Sequence, residues 1–201
     1  MTSIPKKLLK ILVFVATSSL FISCSTLVSN KKTSNSLQTT VTNVDLDDYQ
    51  GTWYEIARLP MYFQRNCRRD VTATYRKRAD GTIKVTNKCI DKRGNQMVAN
   101  GVASADANYP DAKNSRLLVS FLPKSLQWLP VGKGGYWILA LDTDAKTGNY
   151  NHVLIGSPSR KYLWILSRTP NMSEVDYQRY VAIAKAQGYE LDKLIRTTHS
   201  D

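Results

Sequence analysis

The sequence has few of the side chains on which catalysis and metal binding usually depend. It contains two histidines and three cysteines among 201 residues. His199 lies near the end of the chain, and His152 falls within a predicted strand with no cysteine or second histidine at metal-ligand spacing. We therefore predict no catalytic residue, no metal site and no cofactor, and we expect His152 to be structural or solvent-exposed.

The apolar run near the N-terminus, Ile11–Ile22, is too short for a membrane-spanning helix. It has about a dozen residues, whereas such a helix needs roughly 20. Lysines precede the run and Ser23-Cys24 follows it, which is the three-part plan of a secretory signal. We predict that residues 1–23 are a signal peptide, and a permanent membrane anchor is the alternative.

The end of this segment, Leu20–Cys24, resembles the lipobox of bacterial lipoproteins. In that family the cysteine takes a diacylglycerol before cleavage, and its new amine is then acylated. The resemblance implies that Cys24 anchors the mature protein and that Ser25 directs it to the outer membrane, with the domain facing the periplasm. Several acyl chains on one residue anchor firmly, since one chain alone binds only marginally. Ordinary cleavage that leaves Cys24 as a thiol is the alternative.

Acidic residues are scarce relative to basic ones. The chain has 28 Lys and Arg against 16 Asp and Glu, a formal charge of +12, and removing the three lysines of the predicted signal leaves +9. A basic balance suits anionic lipid surfaces or nucleic acid. We expect no nucleic acid partner, because the chain is predicted to be exported and its cations are spread out. Ordinary solvated charge is the expectation, and attraction to an anionic membrane face is the alternative.

The stretch after the signal, Ser25–Thr42, is rich in Ser, Thr, Asn and Lys and cannot bury a core. We assign residues 24–44 to a lipidated flexible tether and residues 45–201 to one folded domain.

The domain keeps two cysteines, Cys67 and Cys89. An oxidising export compartment favours a disulfide between them over two separate thiols. If Asp80-Gly81 forms a two-residue hairpin turn, Cys89 lies opposite about Thr72. The chain before Val71 must then bend back to bring Cys67 within bridging distance.

Short segments rich in Val, Ile, Tyr, Trp and Thr, separated by turn residues, fill most of the domain and predict an all-β fold. Because the connections are short, an eight-stranded up-and-down antiparallel barrel is favoured over a sandwich. The predicted strands are Thr52–Arg58, Val71–Arg78, Ile83–Cys89, Gln96–Ala105, Arg116–Leu122, Tyr136–Leu141, Asn151–Gly156 and Tyr162–Ser167.

A C-terminal α-helix is predicted after these strands. Asn171 with Glu174, or Ser173 with Asp176, matches a capping box, and Gly188 suits the stop after Gln187. A short strand near Leu191–Ile195 is expected to follow. One apolar stripe should lie against the barrel, formed by Tyr177, Tyr180, Val181 and Ala184.

Three segments resemble motifs of the lipocalin family, and together they match its bacterial members. Tyr49–Arg58 resembles the first motif, Gly-x-Trp entering the first strand, and Leu163–Pro170 resembles the third. The middle motif is replaced around Gly148–His152. The resemblance implies that Arg168 lies on the ring of Trp53 and closes one end of the barrel by a cation–π contact.

The opposite end should be open and hold a lipid. Strand alternation places two sets of side chains on common faces, and we predict that both point inward. Between the fifth and sixth strands, Leu126 and Trp128 stand near Lys124. This loop either touches membrane lipid or folds down over the barrel. The predicted pocket residues are Ile83, Val85, Asn87, Leu117, Val119 and Phe121.

From the resemblance we predict a lipid-binding outer-membrane lipoprotein that stores or transports fatty acids or (lyso)phospholipids for membrane maintenance. The resemblance also allows a homodimer. One alternative is an enzyme acting on a lipid, for which acids such as Glu55 and Asp91 would have to meet inside the barrel. The other is a structural or inhibitory envelope lipoprotein with no transport role.

Overall fold

Within the described residues, the chain forms nine strands and two α-helices. The computed structural model describes residues 38–126, 131–144 and 146–200. Cys24, the predicted signal peptide and Trp128 lie outside the described residues. The strands are β1 (Gly51–Arg58), β2 (Cys67–Lys77), β3 (Ile83–Asp91), β4 (Gln96–Ala105), β5 (Arg116–Ser120), β6 (Lys133–Thr143), β7 (Tyr150–Gly156), β8 (Leu163–Ser167) and β9 (Ile195–Arg196). The helices are α1 (Leu46–Tyr49) and α2 (Glu174–Ala186), with 3₁₀ turns at Tyr62–Gln64, Pro110–Ala112 and Lys124–Leu126.

The sheet closes on itself as a barrel. Strands β2 to β8 pair in chain order, and β1 lies between β8 and β2. Each of these pairings is antiparallel. This order confirms the eight-stranded up-and-down barrel and rules out the sandwich, because a sandwich keeps two separate sheets. Near its end, β1 leaves β2 and pairs instead with the short β9, at Ala57 and Arg58.

The hairpin between β2 and β3 differs by one residue from the two-residue turn expected at Asp80-Gly81. Lys77 faces Ile83, and Arg78 donates its N–H to the Thr82 carbonyl at 2.8 Å. Gly81 has a φ of +77°, so the loop is a turn followed by a left-handed residue. The pairing is therefore Thr72 with Lys88. The expected register was wrong because the bulge adds a residue that the turn sequence does not reveal.

Helix α2 lies on the outside of the barrel wall. Of the two capping pairs considered, the second is formed: Ser173 Oγ accepts from the Asp176 N–H at 3.1 Å and donates to the Asp176 carboxylate at 2.6 Å. Gly188, with φ +84°, follows the helix end as expected. None of the described helices is long and apolar enough to cross a membrane. The helix stripe forms a second core between α2 and strands β1, β6, β7 and β8, separate from the core inside the barrel.

Residues 38–44, which composition assigns to the flexible tether, lie against the barrel. Val44 is buried, and Val41 donates its N–H to the Ile138 carbonyl at 3.0 Å. The segment starts beside Tyr189, whose hydroxyl receives a bond from the Gln38 amide at 2.6 Å. The tether boundary therefore needs correction: these seven residues are held because their backbone groups find partners on the barrel.

The alternating strand directions sort the connections to two ends of the barrel. Residues 59–66, 92–95, 121–126 with 131–132, and 157–162 lie at one end, and we call them the mouth connections. Residues 78–82, 106–115, and 144 with 146–149 lie at the other end, together with α1, and we call them the closed-end connections.

Candidate functional site

A cavity of about 520 Å³ occupies the interior of the barrel. Phe63, Phe121 and Tyr162 of the mouth connections contribute to its wall, so it opens at that end. Most of the remaining wall is formed by apolar side chains of β2 to β6. Cavities of 300–1,000 Å³ with mainly apolar walls are typical of sites for small ligands.

The structure places all six predicted pocket residues in the wall of this cavity. Ile83, Val85 and Leu117 are buried, whereas Phe121 is 42% exposed at the rim. Asn87 is the polar member of the set. Its Oδ1 atom is buried and has no hydrogen-bond partner among the described residues, so the wall offers one unused acceptor to a bound molecule.

The floor of the cavity carries a cluster of three tyrosines that sequence analysis did not predict. The Tyr136 hydroxyl lies 2.7 Å from the Tyr49 hydroxyl and donates to the Tyr75 hydroxyl at 3.0 Å. Burial raises the pKa of Tyr75 to about 12 and also raises the pKa values of Tyr49 and Tyr136. The three side chains come from α1, β2 and β6 with no common spacing, so no sequence signal joins them.

Below these tyrosines, Arg168 and Trp53 meet at the closed end. The guanidinium carbon lies 3.9 Å from the centre of the Trp53 ring. The guanidinium also donates to the carbonyls of Asp48 at 2.7 Å, Thr52 at 3.1 Å and Tyr150 at 3.3 Å. One arginine thus joins α1, β1 and β7.

Glycine is required next to this arginine. Gly51 has a φ of +94°, and a Cβ atom at this position would lie 3.3 Å from the Arg168 guanidinium. A side chain there would be strained and would also crowd the arginine. This gives a physical reason for the glycine of the Gly-x-Trp segment.

A buried polar network occupies the β1 side of the cavity near the mouth. The Glu55 carboxylate pairs with Arg58 at 2.7 Å and accepts from Gln64 at 2.5 Å and from Thr197 at 2.5 Å. Asp91 instead ends β3, where it accepts two backbone N–H groups of the β3–β4 turn at 2.8 Å. The two acids considered for catalysis are therefore held in separate networks.

The disulfide between Cys67 and Cys89 lies in the cavity wall close to the mouth. The two Cα atoms are 5.6 Å apart. The pairing of β2 with β3 shifts register twice between Cys67 and Thr72, which is the bend that the bridge needs. The bridge ties the start of β2 to the end of β3.

Leu126, in the loop predicted to touch lipid, is 42% exposed. It therefore does not fold down into the barrel core. Its predicted companion Trp128 lies outside the described residues.

His152 lies away from the cavity, between β7 and α2. Its Nδ1 is 3.2 Å from the Asp142 carboxylate, and Asp176 lies beside both. Their potential ligand atoms all lie within 4.8 Å of one another. Arg179 donates to Asp142 at 2.5 Å and to Asp176 at 3.0 Å, so one cation of the protein is already shared by the two carboxylates. The cluster fastens α2 to the wall.

Comparison with known proteins identifies the family. The family model that describes the lipocalin-like domain matches residues 44–199 of the sequence. The chain belongs to the lipocalin family. This lipocalin is 41% identical over 158 residues to the outer membrane lipoprotein Blc of Citrobacter freundii, covering 78% of the chain and 80% of the relative. It is 40% identical over 162 residues to temperature-induced lipocalin-1 of Arabidopsis thaliana, covering 80% and 82%.

Solved structures agree on the fold. Insecticyanin from Manduca sexta superposes on this lipocalin with a TM-score of 0.61 at 21% identity, covering 81% of this chain and 84% of the other. Family membership and the outer membrane lipoprotein relatives support a lipid-binding lipoprotein as the general class of this protein.

Proposed function

We propose that this lipocalin stores or transports a fatty acid or a (lyso)phospholipid by burying acyl chain in the barrel cavity. The observation that carries the proposal is the apolar cavity of about 520 Å³ with one open end. Each buried methylene contributes about 0.8 kcal/mol, so a long chain supplies enough affinity without directional contacts. Burial of this kind favours a long acyl chain and does not discriminate between head groups. We therefore propose a class of lipid and not a single molecule.

We also propose that the bound molecule keeps its head group at the mouth. The floor is filled by the mutually bonded tyrosines, and the deeper wall residues Ile83, Val85 and Leu117 are apolar. The polar side chains Gln64 and Asn87 lie on the wall beyond them. A head group at that level stays near water, while the chain end points at the floor.

Anchoring through acylated Cys24 on the outer membrane, with the domain in the periplasm, completes the proposal. The lipobox resemblance and the outer membrane lipoprotein relatives support it. Mass spectrometry of the mature N-terminus tests it. An unmodified chain beginning at Cys24 or at any other residue would refute the anchor.

Two substitutions on neighbouring positions of β5 test lipid binding. Val119 lines the cavity, whereas Leu118, the residue before it on the strand, does not. We expect Val119→Trp to lower uptake of a fluorescent fatty acid at least tenfold, because the indole fills part of the cavity. Leu118→Trp should change uptake less than twofold.

Native mass spectrometry and lipid extraction of the purified protein give the second measurement. Recovery of bound lipid is expected from the unsubstituted protein and from Leu118→Trp. Equal uptake by the two variants, or no lipid and no uptake in any of them, would overturn the proposal. Turnover of the added lipid would favour the enzyme alternative.

A further inference from the structure

The exposed apolar side chains of this lipocalin collect at one end. Among the described residues, eleven large hydrophobic side chains are exposed, and six of them lie in the mouth connections. Two more stand at the mouth end of β4, whereas the closed-end connections hold one. Exposed apolar groups concentrated on one face mark a contact surface. The six are Tyr62, Phe63, Phe121, Leu126, Val131 and Tyr162.

Charge is sorted to the same end. In sequence, the four mouth connections contain six Lys or Arg and no Asp or Glu, whereas the three closed-end connections contain three Lys or Arg and four Asp. Three further aspartates lie at or beside α1, at the closed end. The mouth connections are therefore basic, whereas the closed-end connections taken together with α1 are net acidic.

Three acidic groups near the mouth are already engaged. Asp91 holds the turn between β3 and β4, Glu55 is paired with Arg58, and Asp70 is paired with Arg69. Glu190 and Asp192 lie on the connection from α2 to β9. The cations of the rim therefore keep a net positive field in front of the opening.

The chain also enters the domain from the mouth end. Gln38 bonds to Tyr189, whose hydroxyl donates to the carbonyl of Ser157, the first residue of a mouth connection. Gln38 lies fourteen positions after Cys24, and a chain of that length spans at most about 50 Å. A membrane anchor at Cys24 thus joins the domain on the side of its basic, apolar rim.

We propose that the mouth rim docks face-down on an anionic phospholipid bilayer. Lysine and arginine side chains would meet the lipid phosphates, and Phe63 and Val131 would enter the head-group region. This docking goes beyond lipid binding in the cavity, although its use in loading the cavity rests on the proposed function. A second copy of the chain is a poorer occupant, because two rims of the same sign repel. A bilayer also fits because the rim surrounds an opening through which a lipid would pass.

Binding to vesicles tests this docking. We use the full chain carrying Cys24→Ser, so that no acyl group contributes, and vesicles of phosphatidylcholine with or without 30% phosphatidylglycerol. We expect co-sedimentation with the anionic vesicles, weakened by 1 M salt, which shortens the screening length from about 10 Å to about 3 Å. Binding that is equal on the two vesicle types would refute the charge-based part.

Paired charge variants locate the surface. Lys92 and Lys161 are exposed mouth cations, and Lys113 and Lys146 are exposed cations of the closed end. A cation near an anionic bilayer contributes about fivefold in affinity, so Lys92→Gln with Lys161→Gln should lower vesicle affinity at least tenfold. Lys113→Gln with Lys146→Gln makes the same change in net charge and should lower it less than twofold. Equal losses would refute the orientation.

A matched apolar pair tests the hydrophobic contact. Val131 on the rim is 63% exposed, and Val175 at the start of α2 is 81% exposed. We expect Val131→Ser to weaken vesicle binding about fivefold and Val175→Ser to leave it unchanged. Fatty acid uptake in vesicle-free solution should stay intact in all these variants. If the protein bound vesicles but took up no fatty acid, the proposed function would be wrong and the docking would stand. If the rim variants changed self-association of the protein but not its binding to vesicles, the docking would be wrong.

Discussion

The contact between Arg168 and Trp53 gives a quantitative prediction for stability. Arg168→Ala removes a cation–π contact, which contributes about 0.5–2 kcal/mol, and three hydrogen bonds to carbonyls of Asp48, Thr52 and Tyr150. Each bond contributes about 0.5–1.5 kcal/mol net, and we take the lower values because two of the carbonyls belong to exposed residues. We expect a loss of about 3 kcal/mol in the free energy of unfolding.

Urea unfolding followed by tryptophan fluorescence measures this loss. In thermal unfolding it corresponds to a midpoint lower by about 10 °C for a domain of this size. Arg168→Lys keeps the charge but not the planar fork of donors, so we expect a loss of about 2 kcal/mol. Arg78→Ala, at an exposed arginine of the same end, is the control and should cost less than about 0.5 kcal/mol.

The outcome also distinguishes closure of the barrel from ligand selection. Arg168 does not line the cavity, so fatty acid uptake per folded molecule should change less than threefold. If Arg168→Ala were as stable as Arg78→Ala, or if it kept its stability and lost uptake, the barrel-closing role would be wrong.

Three further predictions follow from named contacts. Replacing Cys67 and Cys89 by Ala should cost about 3 kcal/mol, because a bridge spanning 22 residues restricts the unfolded chain; equal unfolding midpoints with and without reductant would contradict this. The bond from Ser173 lowers the pKa of the Asp176 carboxyl, so its stabilisation is present above about pH 4 and disappears as pH falls through the lowered pKa. Asp176→Asn should therefore destabilise at pH 7 and be neutral at pH 2, and an equal cost at both would refute it. Burial raises the pKa of Tyr75 to about 12 and that of Tyr189 likewise, so stability should fall above pH 10 and tyrosinate absorbance should keep rising to pH 12; Tyr75→Phe should reduce the late rise by the contribution of one tyrosine, and an unchanged amplitude would argue against the buried cluster.

The sequence predicted the order of the elements well because the signals for them are local. Turn residues such as Asp80-Gly81 and strand alternation are readable within a few positions, and each predicted strand overlaps an observed one. Register was less accessible. The bulge at Gly81 shifts the β2–β3 pairing by one residue from the expected register. The turn residues Asp80-Gly81 do not determine which residues of the two strands pair on either side of the loop.

The candidate site divides in the same way. The six pocket residues followed from alternation along β3 and β5, since the face of a residue is fixed by its parity. The tyrosine floor and the Glu55 network could not be predicted, because their members come from distant elements and meet only when the barrel closes. Contacts of that kind depend on the radius and stagger of the barrel, which no local pattern encodes.

The uneven distribution of charge between the two ends of the barrel follows from the strand topology and could not be read from the composition. Along the sequence the lysines and arginines are spread out, so solvated charge is the expectation and attraction to an anionic membrane face the alternative. An up-and-down barrel sends successive connections alternately to opposite ends, so a chain that alternates basic turns with neutral or weakly acidic ones becomes a molecule with a basic mouth. Every second connection lies at the mouth. An insertion that added one strand would therefore send each later connection to the opposite end of the barrel and place its charges there. Charge sorting and barrel closure therefore depend on the same even number of strands, and the open end that admits a lipid is also the end that an anionic bilayer attracts.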